Sequence, residues 1–224
     1  MSPETQAMQK DDMANPGMLA VLEGARLWAE PTGAAGRSCA DCHGNAMETM
    51  RGAAARYPAI DDESGEAVDL TARVNLCRTR HQAAEPLPPE HPKLMALATF
   101  VGNQSRGLPI APDRDPRLEP WRDLGARLFS MRMGQLNFSC ANCHDDNAGR
   151  RLASSPIPQG HATGYPIYRL EWQSVGSLQR RFRNCMVGVR AEPFAYGSRE
   201  FVALELFLAD RAAGMPAETP AVRP

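Results

Sequence analysis

The stretches Cys39-Ala-Asp-Cys42-His43 and Cys140-Ala-Asn-Cys143-His144 decide the class of fold that this chain adopts. In a Cys-x-x-Cys-His pentad the two thiols form thioether bonds to a haem, and the histidine binds its iron. A zinc site would need its two Cys-x-x-Cys pairs about fifteen to twenty residues apart, whereas these pairs are separated by 101 residues. The sequence therefore predicts two covalently bound haem c groups, attached through Cys39, Cys42, Cys140 and Cys143, with His43 and His144 as iron ligands.

The sequence on either side of the two pentads is duplicated. Gly24-Ala-Arg-Leu-Trp28 stands fifteen residues before Cys39, and Gly125-Ala-Arg-Leu-Phe129 stands fifteen residues before Cys140. The apolar segments 95–101 and 202–208 correspond in the same way. Because their apolar residues have helical spacing, each half is predicted to contain an N-terminal helix crossed by a C-terminal helix. We therefore expect an all-α fold, mainly helical with long loops, made of two tandem cytochrome c-type domains.

The domain boundaries follow from composition. A proline-rich linker at 109–116 separates a first haem domain at 16–108 from a second at 117–213, because such a stretch favours an extended connection. The tail at 1–15 is predicted to be poorly ordered or to wrap the second domain, and the tail at 214–224 to be irregular. Residues 165–172 alternate enough to allow a short β-hairpin in the second half.

Composition restricts the class of protein further. The chain has 224 residues, 43% of them hydrophobic, and a formal net charge of -1. These values indicate a soluble globular protein and no nucleic-acid partner. No apolar run reaches the ~20 residues of a membrane span. The polar N-terminus lacks the hydrophobic core of a secretory signal, yet haem c is attached outside the cytoplasm. We therefore expect a mature periplasmic protein whose signal peptide has been removed.

One cysteine remains in each half, Cys77 and Cys185. A thiolate on the second axial face of each iron would hold the reduction potential low, which suits a sulfur that itself reacts. Methionine is the ordinary second ligand, and Met186 is the methionine in a suitable segment. His81 would instead give the first haem two histidines. A Cys77–Cys185 disulfide needs Cα atoms within ~7 Å, which is difficult if each cysteine faces its own haem.

The segment around Cys185 is rich in arginine. Residues 180–190 contain Arg180, Arg181, Arg183 and Arg190 and no acidic residue. Their guanidinium groups could orient a small divalent anion through forked hydrogen bonds, and positive charge also favours a thiolate. Alternatively, one or two of them pair with haem propionates or with acidic residues elsewhere.

The two pentads, the segment 74–82 and the segments 181–185, 190–193 and 197–200 resemble the SoxA family, the dihaem subunits of the SoxAX cytochromes of bacterial sulfur oxidation. The resemblance spans about residues 15–210, and its specificity lies in the Arg181-x-x-x-Cys185 element. It implies that Cys77 and Cys185 are the distal haem ligands. It also implies that Cys185 is the active-site sulfur, often carried as a persulfide in the family, and that Arg181 belongs to the active site.

The resemblance also implies an activity. Thiosulfate would bind near Cys185, held by Arg181, with Arg183 or Arg190 as further candidates, and would be joined oxidatively to a cysteine of a SoxYZ-like carrier protein. The electrons would leave through the second haem to a SoxX-like monohaem partner in a heterodimer, and then to a soluble cytochrome c. Two alternatives stay open, a thiosulfate dehydrogenase that forms tetrathionate and a dihaem electron carrier without catalytic activity.

Overall fold

The structure, a computed structural model, describes residues 2–152 and 155–224. It is mainly helical, which confirms the predicted fold class. The helices are α1 (Pro3–Lys10), α2 (Met18–Ala29), α3 (Cys39–His43), α4 (Ala46–Thr49), α5 (Leu70–His81), α6 (Pro92–Asn103), α7 (Glu119–Ser130), α8 (Cys140–His144), α9 (Leu178–Gly188) and α10 (Arg199–Arg211), with 3-10 turns at Ala54–Arg56 and Pro116–Leu118. The strands are β1 (Ala59–Ile60), β2 (Ala67–Val68), β3 (Arg151–Leu152), β4 (Ser155–Pro156), β5 (Ile167–Arg169), β6 (Ser174–Gly176) and β7 (Val222–Arg223).

The predicted pair of crossing helices is present in both halves. Helix α2 packs on α6, and α7 packs on α10. The repeated glycines lie at the two crossings. A Cβ atom on Gly24 would be 2.2 Å from the carbonyl oxygen of Ala96, and one on Gly125 would be 2.2 Å from that of Ala203. Glycine is therefore required at both positions because the helix backbones approach too closely for any side chain.

A short antiparallel hairpin precedes the long helix that follows each haem motif. In the second half, β5 pairs with β6, which agrees with the strand or hairpin predicted at 165–172. In the first half, β1 pairs with β2 in the equivalent register, with Ala59 opposite Val68. This first hairpin was not predicted from the sequence, because its strands are only two residues long.

The two halves share buried surface. Ile60 and Ala67 of the first hairpin pack in one cluster with Leu118, Trp121 and Leu206 of the second half. The buried side chain of Gln179 also donates to the Asp69 carboxylate over 2.6 Å. Since Asp69 caps α5 and Gln179 lies in the first turn of α9, this bond links the starts of these two helices.

Both terminal segments are part of the folded body. Helix α1 contacts β7, and the buried Asn15 side chain donates to the Pro220 carbonyl over 2.9 Å. The segment from Gly214 has no helix or strand as far as residue 221 and then ends in the two-residue strand β7. Strand β7 pairs in parallel with β5 through Tyr168 and Val222; the local sequence did not predict it because its partner lies more than 50 residues away. No helix in the described part of the chain is long and apolar enough to cross a membrane.

Candidate functional site

Each Cys-x-x-Cys-His pentad forms a single helical turn, and a serine starts it. The Ser38 hydroxyl accepts from the Asp41 amide, and the Asp41 carboxylate accepts from the Ser38 amide. Ser139 and Asn142 make the same reciprocal pair in the second half. This capping box satisfies amides at the start of a helix that has too few residues to be stable alone. Both attachment cysteines and the histidine of each pentad are thereby held on one short turn.

The two histidines rest on aromatic rings of the N-terminal helices. His43 lies 5.6 Å from the Trp28 ring, and His144 lies 6.4 Å from the Phe129 ring, each at an interplanar angle of 34°. His144 Nδ1 is 2.7 Å from the Pro158 carbonyl oxygen. A proton on Nδ1 that is donated to this carbonyl leaves Nε2 with the lone pair that a metal ligand needs. Burial lowers the pKa of His144, with Arg181 adding to the effect, which favours this neutral form.

The two remaining cysteines, Cys77 and Cys185, each lie near a pentad cysteine of their own half. Cys77 lies on α5 and Cys185 on α9. Burial and the neighbouring Cys77 raise the pKa of Cys39. Burial and the neighbouring Cys185 raise the pKa of Cys140 to about 11. All six cysteines of the chain are free thiols in the structure, so Cys77 and Cys185 form no disulfide, and each lies beside a different pentad.

Backbone hydrogen bonds attach the C-terminal ends of α5 and α9 to the loops that precede the pentads. The loop before each pentad bonds to the C-terminal end of the corresponding helix: Ala35 N–H donates to Gln82, and Leu136 N–H donates to Val189. The approach is so close that a Cβ atom on Gly33 or Gly134 would lie 2.1 Å from one of these carbonyl oxygens. Both glycines also have positive φ, 67° and 68°, which glycine adopts without strain.

The arginine four residues before Cys77 is fully paired. Arg73 forms an ion pair of 2.8 Å with Asp61, whose side chain is only 2% exposed. Its Nη2 also donates to the Ile60 carbonyl over 3.4 Å, and it lies near the Tyr57 hydroxyl. Arg80 holds the same carboxylate through two contacts of 2.7 and 2.9 Å, and the Ser64 hydroxyl donates to it over 2.8 Å. These donors hold the pKa of Asp61 far below its usual value. The surroundings of Cys77, the first pocket (Tyr57, Asp61, Arg73 and Arg80), therefore contain a buried negative charge.

The arginine four residues before Cys185 is not paired. Within residues 2–152 and 155–224, the structure gives the Arg181 guanidinium no ion-pair or hydrogen-bond partner, although it lies near His144 and Tyr165. Burial raises the pKa of Tyr165 to about 12, against the opposing effect of Arg181, while Cys185 raises it further. Arg169 is a further cation near Tyr165. The second pocket, formed by Tyr165, Arg169, Arg181 and Cys185, therefore places a thiol and a tyrosine near the unpaired Arg181 guanidinium.

The structure does not bring every predicted residue to this pocket. Arg183 donates to the Phe194 carbonyl over 2.5 Å and stacks on Tyr196. The exposed Arg190 makes a contact of 3.5 Å with Gln135. Substrate binding by either arginine stays a prediction. Of the alternative iron ligands, Met186 is buried in the apolar cluster with Leu128, against which Cys140 packs, and His81 is exposed. Ligation by either stays an alternative prediction.

Four residues of the two pockets were missed at the sequence level: Tyr57, Asp61, Tyr165 and Arg169. A signal was present in the sequence. Tyr57, Pro58 and Cys77 of the first half are each repeated 108 residues later, as Tyr165, Pro166 and Cys185. The constant spacing also makes Arg73 the counterpart of Arg181, and Asp61 the counterpart of Arg169. It differs from the spacing of 101 residues between the pentads, because the second half carries a longer segment between its pentad and its hairpin.

Comparison with known proteins identifies the class. The family model of the SoxA/TsdA cytochrome c domain matches residues 23–110 and 124–217. The chain therefore belongs to this family, and it carries covalently bound haem c. The donors described above fit that group, since each pentad supplies two free thiols and one imidazole, and the tautomer of His144 is set by its bond to Pro158.

Within this family, the individual relatives that match the chain are SoxA subunits. The L-cysteine S-thiosulfotransferase subunit SoxA of Pseudaminobacter salicylatoxidans is 39% identical over 221 residues, covering 98% of this chain and 77% of that protein. The subunit of the same name from Rhodovulum sulfidophilum is 36% identical over 220 residues, with the same coverage. In the crystal structure of SoxXA from P. pantotrophus, one chain superimposes with a TM-score of 0.95 at 34% identity, covering 100% of this chain and 84% of that chain. The resemblance to SoxA seen in the sequence is confirmed.

Proposed function

We propose that this chain is an L-cysteine S-thiosulfotransferase subunit of the SoxA type, which joins thiosulfate oxidatively to a cysteine of a SoxYZ-like carrier protein. The observation that carries the proposal is the second pocket. There the Cys185 thiol lies beside the pentad cysteines, and the unpaired Arg181 guanidinium lies beside His144 and Tyr165. A sulfur next to unneutralised cationic charge is the arrangement that a small sulfur oxyanion requires.

Two haem groups are part of the proposal because the attachment turn, the histidine and the spare cysteine occur in each half. Cys39, Cys42 and His43 would hold the first haem, and Cys140, Cys143 and His144 the second, with Cys77 and Cys185 as distal ligands. Haem c supplies one-electron transfer, which lets a two-electron oxidation proceed in single steps. The duplicated helix pairs also support haem domains at 16–108 and 117–213, between tails at 1–15 and 214–224 and joined by the linker 109–116.

The reaction balances as follows. The carrier thiol, R–SH, and thiosulfate, S₂O₃²⁻, give R–S–S–SO₃⁻, one proton and two electrons. The S–H bond breaks and one S–S bond forms between the carrier sulfur and the outer sulfur of thiosulfate. Arg181 binds the sulfonate oxygens, and Cys185 faces the outer sulfur at which the new bond forms. The guanidinium thereby offsets the repulsion between two anionic sulfur species as they approach.

Partners follow from the same proposal. A SoxX-like monohaem cytochrome forms a heterodimer with this chain, which is supported by the similarity to one chain of the SoxXA structure. Electrons pass from that partner to a soluble cytochrome c. The proposed compartment is the periplasm, because haem c is attached on the oxidising side of the membrane.

A product assay tests the proposal. The purified chain, with its SoxX-like partner, is given thiosulfate, a reduced carrier and oxidised cytochrome c. The carrier should gain the mass of one thiosulfonate group for every two cytochromes reduced. Tetrathionate formed without any carrier would instead identify a thiosulfate dehydrogenase. If neither product forms although electrons still pass between cytochromes, the chain is an electron carrier without this catalysis.

A further inference from the structure

The two pockets have the same backbone. Tyr57, Asp61, Arg73 and Cys77 of the first half each have a counterpart 108 residues later. The hairpins that carry positions 61 and 169 pair in the same register: Ile60 lies opposite Ala67, and Tyr168 lies opposite Val175. Helices α5 and α9 both start at the residue after a side-chain cap, Asp69 and Ser177. Positions 61 and 169 are therefore equivalent places in the fold, and their side chains can be compared directly.

The charge at this place is reversed. Asp61 neutralises Arg73 in the first pocket. In the second pocket the same place is occupied by Arg169, whose side chain is 15% exposed. Burial and the like charge of Arg181 lower the pKa of Arg169. Two guanidinium groups thus lie close enough to repel each other, and no carboxylate in the described part of the chain bridges them.

Arg169 makes two contacts of its own, and neither neutralises the combined positive charge of Arg169 and Arg181. Its Nε donates to the Pro224 carbonyl over 2.9 Å. Its Nη2 pairs over 3.0 Å with Glu171, whose side chain is 61% exposed. An exposed carboxylate is screened by water and salt and contributes little. The other charges that act on Arg169 are, after those of Arg181 and Glu171, Tyr165 and Cys185 of the second pocket.

We propose that Arg169 is a second anion-binding residue, which together with Arg181 holds the sulfonate oxygens of thiosulfate beside Cys185, and that Asp61 denies the first pocket this capacity. The choice of thiosulfate rests on the proposed function; the anion site itself does not. A divalent anion between two guanidinium groups neutralises both and receives charge-assisted hydrogen bonds from each. In the first pocket the Asp61 carboxylate already occupies that role, so Arg73 is not available to an external anion.

Anion binding in the absence of a carrier protein tests this inference. The haem-loaded chain with its partner is titrated with thiosulfate in a calorimeter, with no carrier and no electron acceptor present. Arg169→Gln keeps a hydrogen-bonding side chain of similar length but removes the charge. A lost charge-assisted hydrogen bond corresponds to a dissociation constant about 10–100-fold higher. Arg169→Asp should weaken binding more than Arg169→Gln, since an aspartate here would pair with Arg181 as Asp61 pairs with Arg73.

Glu171→Gln is the matched control. It breaks the ion pair of Arg169 but leaves the guanidinium, so the dissociation constant should stay within about twofold of the wild type. Haem absorbance per chain and the unfolding temperature report whether a variant is folded. If Arg169→Asp fails to retain haem, the comparison of Arg169→Gln with Glu171→Gln decides the question alone.

Unchanged thiosulfate affinity in Arg169→Gln would overturn the inference, and so would equal weakening in Glu171→Gln, because that pattern assigns Arg169 to holding the hairpin. The outcome is separate from that of the proposed function. A wild-type protein that binds thiosulfate through Arg169 but never modifies a carrier would contradict the proposed function and leave this anion site in place.

Discussion

The first and second pockets of this chain have the same frame and different electrostatics. In both, a capped pentad lies under a long helix that carries a cysteine, and a close glycine contact sets the spacing. In the first pocket, Asp61 joins Arg73 and Arg80 in a closed network. In the second, Arg181 is unpaired among the described residues and Arg169 replaces the acid. Duplication has thus preserved the frame, whereas Asp61 and Arg80 of the first pocket correspond to Arg169 and Gly188 in the second.

The largest expected difference between the halves concerns their spare cysteines. Cys185→Ala should lower carrier modification by about 10³-fold or more, since a reacting group is lost. Cys77→Ala, the matched variant in the paired pocket, should keep activity within about tenfold. Activity is measured by mass spectrometry of the carrier, and haem content by absorbance. Equal losses in the two variants would mean that the pockets do not differ in the way the charges indicate.

The next largest effect is on stability and belongs to the first pocket. Asp61→Asn leaves the partly buried Arg73 and Arg80 without their carboxylate, which should lower the free energy of unfolding by about 3 kcal/mol. Glu63→Gln, whose side chain is 72% exposed, should cost less than about 1 kcal/mol. Chemical denaturation measures both.

The contribution of Asp61 also has a defined pH dependence. Its pKa is lowered in the folded chain, chiefly by the hydrogen bonds from Arg80. The stabilisation is therefore present above the unfolded-state pKa of about 4 and is lost as the pH falls below it. Wild type and Asp61→Asn should converge in stability as the solution is acidified; a difference that persists in acid would contradict the assignment.

Arg181 and Arg73 should respond to substitution in opposite ways. Arg181→Ala should raise the KM for thiosulfate by about 10–100-fold and leave haem content and stability nearly unchanged, because the guanidinium has no protein partner among the described residues. Arg73→Ala should instead lower stability and leave the KM unchanged. Steady-state kinetics and thermal unfolding separate the two effects. Loss of haem in Arg181→Ala would assign this arginine a structural role.

The helix crossings should not distinguish the halves at all. Gly24→Ala and Gly125→Ala each place a methyl group 2.2 Å from a carbonyl oxygen, so both should be destabilised, by about 1–3 kcal/mol. Gly188→Ala provides the control, because its Cβ would meet nothing within 4 Å. Unfolding experiments that found only one crossing sensitive would show that the frame is less symmetrical than the duplicated contacts indicate.

The smallest effect concerns Glu205, which lies between the halves and corresponds to Ala98 on the equivalent helix. Burial raises the pKa of Glu205 well above its ordinary value, with Asp69 adding to the effect. A raised folded-state pKa contributes stability that is present in acid and lost as the pH rises through that pKa. Glu205→Gln should therefore match the wild type near pH 4 and become the more stable protein at alkaline pH. Parallel pH profiles would contradict this.

Much of the site could be predicted from the sequence because haem attachment is a local requirement. Two cysteines and a histidine must share one helical turn, so the pentads identify the cofactor, and the repeated Gly24 and Gly125 segments identify the helix pairs. Periodicity then gave the mainly helical fold. The two-residue strands of the first hairpin have no such periodic signal, and β7 becomes ordered only through its partner β5.

The sequence alone determined the family and the duplication and predicted the haem attachment residues, because each depends on residue types at fixed spacing along the chain. The tertiary structure decided which charges meet. Arginines surround Cys77 and Cys185 in the sequence alike, but Asp61 reaches Arg73 and Arg80 only after the hairpin folds back on α5. Electrostatic interactions depend on distance in space and on burial, and neither quantity can be read from the order of residues along the chain.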